Sequence, residues 1–460
     1  MKSRSPLLLC LLLVCHAIVQ AQSAPKPKYN VLFIMSDDMR PELGAYGNKI
    51  IKTPNLDKLA TWGVRFDRAF VQYPLCNPSR ASLLNGRYPT QTGVLDNRTW
   101  FGAAHPDFVS LPRYFKQHGY ASLRTGKIFH GGIDDTDAWT EGGEKRNFEG
   151  ATNTNAPGQD PKQSDRIVAL DGNGESHADY KNTTRAIEYL EQHRDKPFML
   201  MYGLSRPHSP PTAPKKMIEM YDVARMPLPV DFMPRPTVPA GFPKLSVPPR
   251  SSDLFIGRDA SEQEAREVIR AYYASISFVD YNVGRVLDTL ERLKLRDNTI
   301  IVFCGDHGYH LGEKGKWSKH NSLFEIATRV PLLIVMPGAK GNGQASPRIV
   351  EAVDLYATLT DLCGLPRPSG IVGESLRPLL NNPRAKWNQP AYTVTLFGKN
   401  LGKAVRTEQW RYAEWPDRVD GGAMLFDRQK DPDELKNLAS DPAYAKVVAE
   451  MKELLARMPK

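Results

Sequence analysis

A cysteine, a proline and an arginine stand close together in the string Cys76-Asn77-Pro78-Ser79-Arg80. Pro78 fixes its own φ, has no amide hydrogen to donate, and pushes the preceding residue towards an extended backbone. The string therefore predicts a turn or the start of a helix, with the Cys76 thiol at the bend. Arg80 adds a permanent cation whose planar fork of donors suits oxyanions. A lone cysteine is more often a small buried side chain, so a chemical role depends on the whole string.

Carboxylates and a histidine follow two apolar runs elsewhere in the chain. Asp37 and Asp38 come directly after the first run, and Asp306 and His307 follow a later one. Three carboxylates placed together repel and raise one another's pKa unless a cation joins them. Oxygen ligands favour Ca²⁺, with Mg²⁺ second, whereas the imidazole of His307 is more typical of Zn²⁺ or similar metals. The alternatives are a turn or helix cap for the acid pair and a hydrogen-bonded structural histidine.

Two further polar groups also follow strand candidates. Lys127 and His130 come after residues 120–123, and His208 comes after the apolar run 197–204. In an open α/β sheet, ligands bind beyond the carboxyl ends of the strands, so all four groups are expected to meet at one edge. Taken singly, each of these side chains is more typical of a structural or solvated residue. Their common position after strands is what indicates a site.

The elements that must carry these residues alternate between strands and helices. This alternation predicts an α/β fold with a large, mostly parallel sheet flanked by helices. Ser261 and Glu264 form a capping-box pattern at the start of a long helix. Residues 226–250 contain eight prolines, which exclude a regular helix or central strand and predict an extended excursion near the cleft. Strands are predicted at 29–35, 120–123, 197–204, 299–304 and 331–335, and helices at 111–118 and 180–193.

Shorter segments from about residue 391 onwards predict a smaller C-terminal subdomain with an antiparallel sheet. Its strands are expected at 392–397, 403–407 and 410–413, and a closing helix at 444–458. The chain is accordingly divided into a signal peptide at 1–21, a catalytic α/β domain at 25–385 and the subdomain at 386–460. Once residues 1–21 are removed, only Cys76, Cys304 and Cys363 remain, which argues against a disulfide framework.

Composition limits the classes of partner and the location. The chain is 41% hydrophobic and 24% charged, which is ordinary for a soluble globular protein, and its net charge of +10 favours acidic substrates. Basic runs interleaved with aromatic residues are absent from the sequence, which argues against nucleic acid as a partner. The apolar run 6–19 is too short for stable membrane insertion and is typical of a secretory signal. Export to the periplasm or extracellular space is expected, or to the lysosome or secretory route in a eukaryote.

The string Cys76-x-Pro78-Ser79-Arg80, followed by Arg87, resembles the signature of the type I sulfatases, which belong to the alkaline phosphatase superfamily. An Asp-Asp pair after the first strand and a Gly-Asp-His-Gly block are similar to the metal positions of that family. The Asp-His form, where many members have Asp-Asn, resembles the iduronate-2-sulfatase branch. The segments that also resemble this branch are Lys127-x-x-His130, Arg206-Pro207-His208 and 311–319.

This resemblance implies that Cys76 is oxidised to formylglycine by a formylglycine-generating or equivalent maturation enzyme, and that the hydrate attacks sulfur. It further implies roles for cationic residues. Arg80 and Lys127 would steady the modified side chain and the sulfate charge, and His130 would act as a base in breakdown of the sulfated intermediate. His208 and Lys319 would bind sulfate and serve the leaving oxygen. The implied metal ligands, with Ca²⁺ preferred, are Asp37, Asp38, Cys76, Asp306 and His307.

The function expected from this resemblance is a sulfuric ester hydrolase that acts on a sulfated carbohydrate, with a uronate 2-sulfate as one candidate. One alternative is a phosphonate or phosphate monoester hydrolase of the same superfamily, and another is a non-catalytic binder of sulfated glycans. Lys316 is an alternative to Lys319 on spacing alone. Four residues of one loop are expected either to contact substrate or to form an ordinary loop: Asp96, Asn97, Arg98 and Trp100.

Overall fold

The structure is a computed structural model that describes residues 29–147, 165–416 and 419–459. The predicted signal peptide at 1–21 lies outside these residues and stays a prediction. Within the described ranges, no helix combines the length and the apolar character that a membrane crossing requires.

Thirteen strands and twelve α-helices make up the described chain. The strands are β1 (Asn30–Asp37), β2 (Val64–Phe70), β3 (Ala121–Gly126), β4 (Val168–Leu170), β5 (Phe198–Pro207), β6 (Thr212–Pro214), β7 (Thr299–Gly305), β8 (Arg329–Val335), β9 (Ala345–Glu351), β10 (Ala391–Phe397), β11 (Asn400–Arg406), β12 (Trp410–Trp415) and β13 (Gly422–Asp427). The helices are α1 (Pro54–Trp62), α2 (Cys76–Asn85), α3 (Pro89–Thr92), α4 (Phe101–Ala104), α5 (Leu111–Gln117), α6 (Ala178–His193), α7 (Lys215–Ile218), α8 (Glu262–Arg292), α9 (Glu325–Thr328), α10 (Asp354–Leu362), α11 (Arg377–Asn381) and α12 (Ala445–Ala456).

The large sheet has seven strands in the order β3-β5-β1-β7-β8-β2-β9. β3, β5, β1 and β7 are mutually parallel, while β8 runs antiparallel to both of its neighbours. The predicted mostly parallel α/β sheet is therefore confirmed. The apolar run at 331–335 is the one strand of this sheet that reverses direction. β2 and β9 were not predicted, because charged residues such as Arg65 and Arg348 interrupt their apolar pattern.

Both faces of the sheet are covered, which explains the continuous apolar run of β1. Leu32 and Ile34 pack with residues of α1, α6 and α8 on one face. Val31 and Phe33 pack with residues of α2, α5 and α10 on the other. Each fully buried side chain of this kind stabilises the fold by about 1.5–3 kcal/mol. The sheet is thus a rigid platform, and its carboxyl-end loops are positioned by a packed core on each side.

The long helix α8 begins as the capping-box pattern predicts. The Ser261 hydroxyl oxygen accepts from the Glu264 amide at 3.2 Å, and the Glu264 carboxylate accepts from the Ser261 amide at 2.9 Å. Between residues 226 and 250 the chain forms only one helical turn, Lys244–Ser246, and no strand. The eight prolines therefore have the effect expected from their missing amide donors.

The C-terminal region contains the predicted antiparallel sheet, which has a fourth strand that was not predicted, β13. A buried ion cluster joins this sheet to α9, the short helix that precedes β8 of the larger sheet. Glu325 accepts from Arg406 at 2.7 Å and from Arg428 at 3.0 Å. These arginines, together with Arg411, hold the pKa of Glu325 well below its usual value although burial alone would raise it. The division of the chain between residues 385 and 386 stays a prediction.

Candidate active site

Cys76 is the first residue of α2, and its side chain is buried. The preceding residue, Leu75, is extended at φ −159° and ψ 140°, so the chain enters the helix through a sharp bend. Pro78 lies in the first helical turn, where its missing amide hydrogen has no intrahelical acceptor to serve. The predicted position of the thiol at the start of a helix is what the backbone adopts.

The polar groups predicted after strands lie at the ends of four neighbouring strands. Asp37 ends β1, Asp306 follows β7, Lys127 follows β3, and His208 follows β5. These strands are adjacent in the order β3-β5-β1-β7, so their carboxyl ends form one continuous edge. α2 reaches the same edge, because the Ser79 hydroxyl donates to the Asp306 carbonyl. Residues separated by up to 270 positions in sequence therefore surround Cys76.

Four of these side chains form a compact donor cluster. Donor atoms of Asp37, Cys76, Asp306 and His307 all lie within 4.8 Å of one another, and all four residues are buried. The Cys76 Sγ atom is 3.3 Å from His307 Nε2 and 3.5 Å from Asp37 Oδ1. Asp38 belongs to a second, overlapping group with Cys76 and His208. Its buried Oδ1 atom accepts no hydrogen bond within the described chain, so an oxygen ligand is available there.

The electrostatics of the cluster fit a cation. Burial raises the pKa of Asp306 to about 7 although Arg80 opposes the shift. Burial also raises the pKa of Asp38, against the effect of Lys319. Burial would likewise raise the pKa of Asp37, but Lys127 and other cations hold it below its usual value. A divalent ion would let all three carboxylates ionise together, and oxygen-rich donors suit a hard ion.

Two lysines lie close enough to the thiol to act on its charge. The Lys127 ammonium forms an ion pair with Asp37 and lies 3.8 Å from Cys76 Sγ. The Lys319 ammonium lies 3.0 Å from Asp38 Oδ2. Burial would raise the pKa of the Cys76 thiol, but Lys127, Lys319 and His307 outweigh it and hold the pKa well below its usual value. The position thus favours an anion, whether a thiolate or an oxyanion.

The two remaining histidines also reach Cys76. The interaction with His130 helps to lower the pKa of the Cys76 thiol, and the interaction with Cys76 helps to raise the pKa of His208. His130 is buried, and its Nδ1 atom has no hydrogen-bond partner within the described chain. His208 Nε2 is 3.9 Å from Asp38 Oδ2. Two imidazoles that can hold a proton therefore face the thiol from within the same cleft.

Arg80 is fully buried, and most of its N–H donors form hydrogen bonds with residues that build the site. Its Nε atom donates to Asp306 Oδ2 at 2.8 Å, and its Nη1 atom donates to the carbonyls of Lys127 and Ile128. Its Nη2 atom forms no hydrogen bond with any described residue and lies 3.7 Å from Asp37 Oδ1. Only Nη2 is therefore left to interact with a modified Cys76 side chain or with sulfate.

Comparison with known proteins agrees with this geometry. The sequence model of the sulfatase family matches residues 29–365, which is well over half of the chain. The chain belongs to the sulfatase family. A second model, N-sulphoglucosamine sulphohydrolase, C-terminal, matches residues 312–460. The resemblance to type I sulfatases is thus confirmed, and the protein is a sulfuric ester hydrolase.

Individual relatives point to the same family. Iduronate 2-sulfatase of Mus musculus is 33% identical over 471 residues, covering 84% of each chain. A solved 2-O GAG sulfatase has a TM-score of 0.69 at 26% identity and covers 93% of this chain and 91% of that one. The phosphonate monoester hydrolase of Silicibacter pomeroyi has a TM-score of 0.75 at 23% identity, covering 93% and 94%. That last likeness shows a shared fold.

The loop at 96–100 supports the segment of this sulfatase that begins at Cys76. Asn97 Oδ1 accepts from the Asn77 amide at 3.0 Å, and the Asn77 side chain donates to the carbonyls of Asp96 and Thr99. Trp100 packs under the guanidinium of Arg146, 4.0 Å from the ring centre. Asp96 and Asn97 therefore have the contacts of an ordinary structural loop. Substrate contact by the exposed Arg98 stays a prediction.

Sequence reasoning missed two residues that contact the site. The Tyr272 hydroxyl of α8 donates to the Asp38 carbonyl at 2.6 Å, and Asp253 lies 3.3 Å from the Lys319 ammonium. Tyr272 lies within the buried face of α8, so helical periodicity marks it only as a core residue. The signal for Asp253 was its position just after the proline-rich segment predicted to lie near the cleft.

A cavity of ≈ 320 Å³ opens beside Lys127 and His130. Its walls include polar side chains from α6 and from the end of β5, namely Asp179, Asn182 and Ser205. Cavities of this size hold small molecules, and polar walls suit a hydroxyl-rich group. The cavity therefore gives room for part of a sugar next to the cluster at Cys76.

Proposed function

We propose that this sulfatase removes sulfate from a sulfated sugar, with a uronate 2-sulfate of a polysaccharide fragment as its substrate. The observation that carries this proposal is the position of Cys76, within 3.5 Å of both Asp37 and His307 and under the influence of two lysines that lower the pKa of its thiol. The sugar is suggested by the mouse relative, whose name is iduronate 2-sulfatase, and by the likeness to a 2-O GAG sulfatase.

The metal site would be formed by Asp37, Asp38, Cys76, Asp306 and His307. Ca²⁺ is preferred to Mg²⁺, because it accepts several carboxylate oxygens in flexible geometry. When bound, such an ion polarises sulfate oxygens and lowers the energy of the nucleophilic oxyanion. Cys76 would contribute after oxidation to formylglycine by a maturation enzyme, and its hydrate would supply the oxygen that attacks sulfur.

The remaining side chains would bind the sulfate and move protons. Lys127, beside Cys76, and Lys319, beside Asp38, offset the negative charge of the sulfate. His208 donates to the leaving oxygen from its Nε2 atom, which already faces Asp38. His130, with its unpaired Nδ1 atom, accepts a proton from the hydroxyl of the modified residue. The cavity beside His130 takes part of the sugar ring, so hydrolysis occurs at its edge.

A panel of paired esters tests this function. The expected result is a kcat/KM for 4-nitrophenyl sulfate at least about tenfold above those for 4-nitrophenyl phosphate and the matching phosphonate ester. Among sulfated disaccharides, the uronate 2-sulfate is expected to be hydrolysed faster than a glucosamine 6-sulfate. Faster phosphonate turnover would favour the alternative suggested by the Silicibacter pomeroyi neighbour. Binding of sulfated glycan without hydrolysis by the mature protein would favour a non-catalytic binder.

Export is part of the same proposal. Residues 1–21 would direct the chain to the periplasm, the extracellular space or, in a eukaryote, the lysosome or secretory route. A comparison of the N-terminal peptide mass of the exported and the unprocessed protein tests this, and an intact N-terminus on the exported protein would contradict it.

Lys319 is expected to contribute to catalysis, whereas Lys316 is expected only to stabilise the loop that carries both lysines. Lys319 Nζ contacts Asp38, but Lys316 Nζ donates to the His320 carbonyl at 3.0 Å. We expect Lys319→Met to lower kcat/KM on a sulfate ester by about 10²–10³-fold, as loss of one charge-stabilising donor does. Lys316→Met is the matched control, because both lysines are buried in one loop, and it should lose less than about tenfold. Equal losses in the two variants would contradict the assignment.

A further inference from the structure

A carboxylate that belongs to no helix or strand lies behind Lys319. Asp253 follows the proline-rich segment and precedes α8, and only 8% of its side chain is exposed. Its Oδ2 atom is 3.3 Å from Lys319 Nζ, and its Oδ1 atom is 4.0 Å from His320 Nε2. A buried carboxylate needs a partner of this kind to offset its lost hydration.

The Lys319 ammonium contacts two carboxylates, and these differ in how many other charged groups they contact. Its ammonium lies 3.0 Å from Asp38 Oδ2 and 3.3 Å from Asp253 Oδ2, and 2% of its side chain is exposed. Asp38 is also near His307 and His208, with its Oδ1 atom 3.2 Å from His307 Nδ1. Asp38 is therefore shared among several groups. Asp253 has Lys319 as its nearest cation, so it can fix that ammonium whatever Asp38 is bound to.

The segment that carries Asp253 is fastened to the loop that carries Lys319. Ser251 Oγ accepts from the Trp317 amide at 3.0 Å, and the Leu254 amide donates to the Trp317 carbonyl at 3.3 Å. The rings of Phe255 and Trp317 pack with their centres 4.9 Å apart. Residues on both sides of Asp253 thus contact the residue two positions before Lys319. These contacts on both sides of Asp253 keep its carboxylate at a fixed position relative to the Lys319 ammonium.

We propose that Asp253 is a positioning residue, which orients the Lys319 ammonium towards the leaving oxygen of the sulfate ester. This inference rests on the proposed function, since Lys319 acts on sulfate only if the site hydrolyses it. Without Asp253, Lys319 would turn wholly to Asp38 and its charge would be less available to substrate. Asp253 itself touches neither the substrate nor Cys76.

Asp253→Asn tests this role with aryl sulfates of different leaving groups. We expect kcat on phenyl sulfate to fall by about 10–100-fold, as is typical when an outer partner of a site residue is lost. The fall on 4-nitrophenyl sulfate should be several times smaller, because its leaving oxygen needs less charge stabilisation. Asp253→Glu, which keeps a carboxylate, should restore part of the rate. A purely structural role would lower both rates equally and would lower the melting temperature.

Asp231→Asn is the matched control. Asp231 lies in the proline-rich segment that precedes Asp253, and it pairs at 2.7 Å with Lys314 of the loop that carries Lys319. Its kcat values should stay within about threefold of the parent for both esters. If Asp253→Asn behaves like this control in a parent that hydrolyses sulfate esters, the positioning role is wrong while the proposed function stands.

A crystal structure of Asp253→Asn tests the position of the ammonium independently of turnover. We expect Lys319 Nζ to leave the site of Asp253 and to pair with Asp38 alone. An ammonium that does not move would overturn the inference, even if the parent protein hydrolysed no sulfate ester and the proposed function failed.

Discussion

Cys76→Ala is expected to lower kcat on a sulfated sugar by at least about 10⁴-fold. The reason is that the substitution removes the only side chain proposed to carry the attacking oxygen, while Lys127 and Lys319 continue to bind sulfate. KM should therefore change far less than kcat. Initial rates of sulfate release measure the effect, and the peptide containing residue 76 of the parent should show the mass of an aldehyde in place of a thiol.

Cys363→Ala provides a matched control for this prediction. Cys363 is another buried cysteine, but it lies in the apolar cluster beside α10, away from the cluster at Cys76, and burial raises the pKa of its thiol to about 11. Its substitution should leave kcat within about twofold. A fully active parent whose residue 76 remains an unmodified thiol would refute the proposed nucleophile.

The site could be predicted from the sequence to the extent that it depends on buried parallel strands. The apolar runs of β1 and β7 are continuous because both faces of the sheet are covered, and each run ends where a carboxylate begins. Parallel direction then brings Asp37 and Asp306 to one edge. The bend at Cys76 could be predicted as well, since Pro78 limits the local backbone to few conformations.

Other features depend on contacts that local pattern does not encode. β2 and β9 lie at the far end of the sheet, where charged side chains reach solvent and hide the strand pattern. The position of Asp253 depends on hydrogen bonds that neighbouring residues form with Trp317, which is 64 positions away in the sequence. The three hydrogen bonds that Arg80 donates to Asp306 and to two carbonyls likewise follow from tertiary packing. Sequence identifies such residues by type, whereas their partners emerge only from the fold.

Arg80 is expected to be as important for stability as for chemistry. Its guanidinium is fully buried, pairs with Asp306 and satisfies the carbonyls of Lys127 and Ile128. Removal of one member of a buried ion pair typically costs about 3–5 kcal/mol, because the partner charge is left without compensation. Arg80→Ala should therefore lower the free energy of unfolding by about that amount, measured by chemical denaturation of the metal-free protein, in which no bound ion compensates Asp306.

Arg87→Ala separates this effect from the general cost of losing an arginine near α2. Arg87 is the other arginine of the family signature, but among the described residues it donates only to the carbonyls of Asn85 and Ser369, each at 3.2 Å, and forms no ion pair with a carboxylate. Its guanidinium packs over Phe108, 4.0 Å from the ring centre. We expect its loss to cost about 1 kcal/mol, mostly through this contact. Equal destabilisation by the two substitutions would show that Arg80 stabilises the fold by packing alone, and that Asp306 finds another cation when Arg80 is gone.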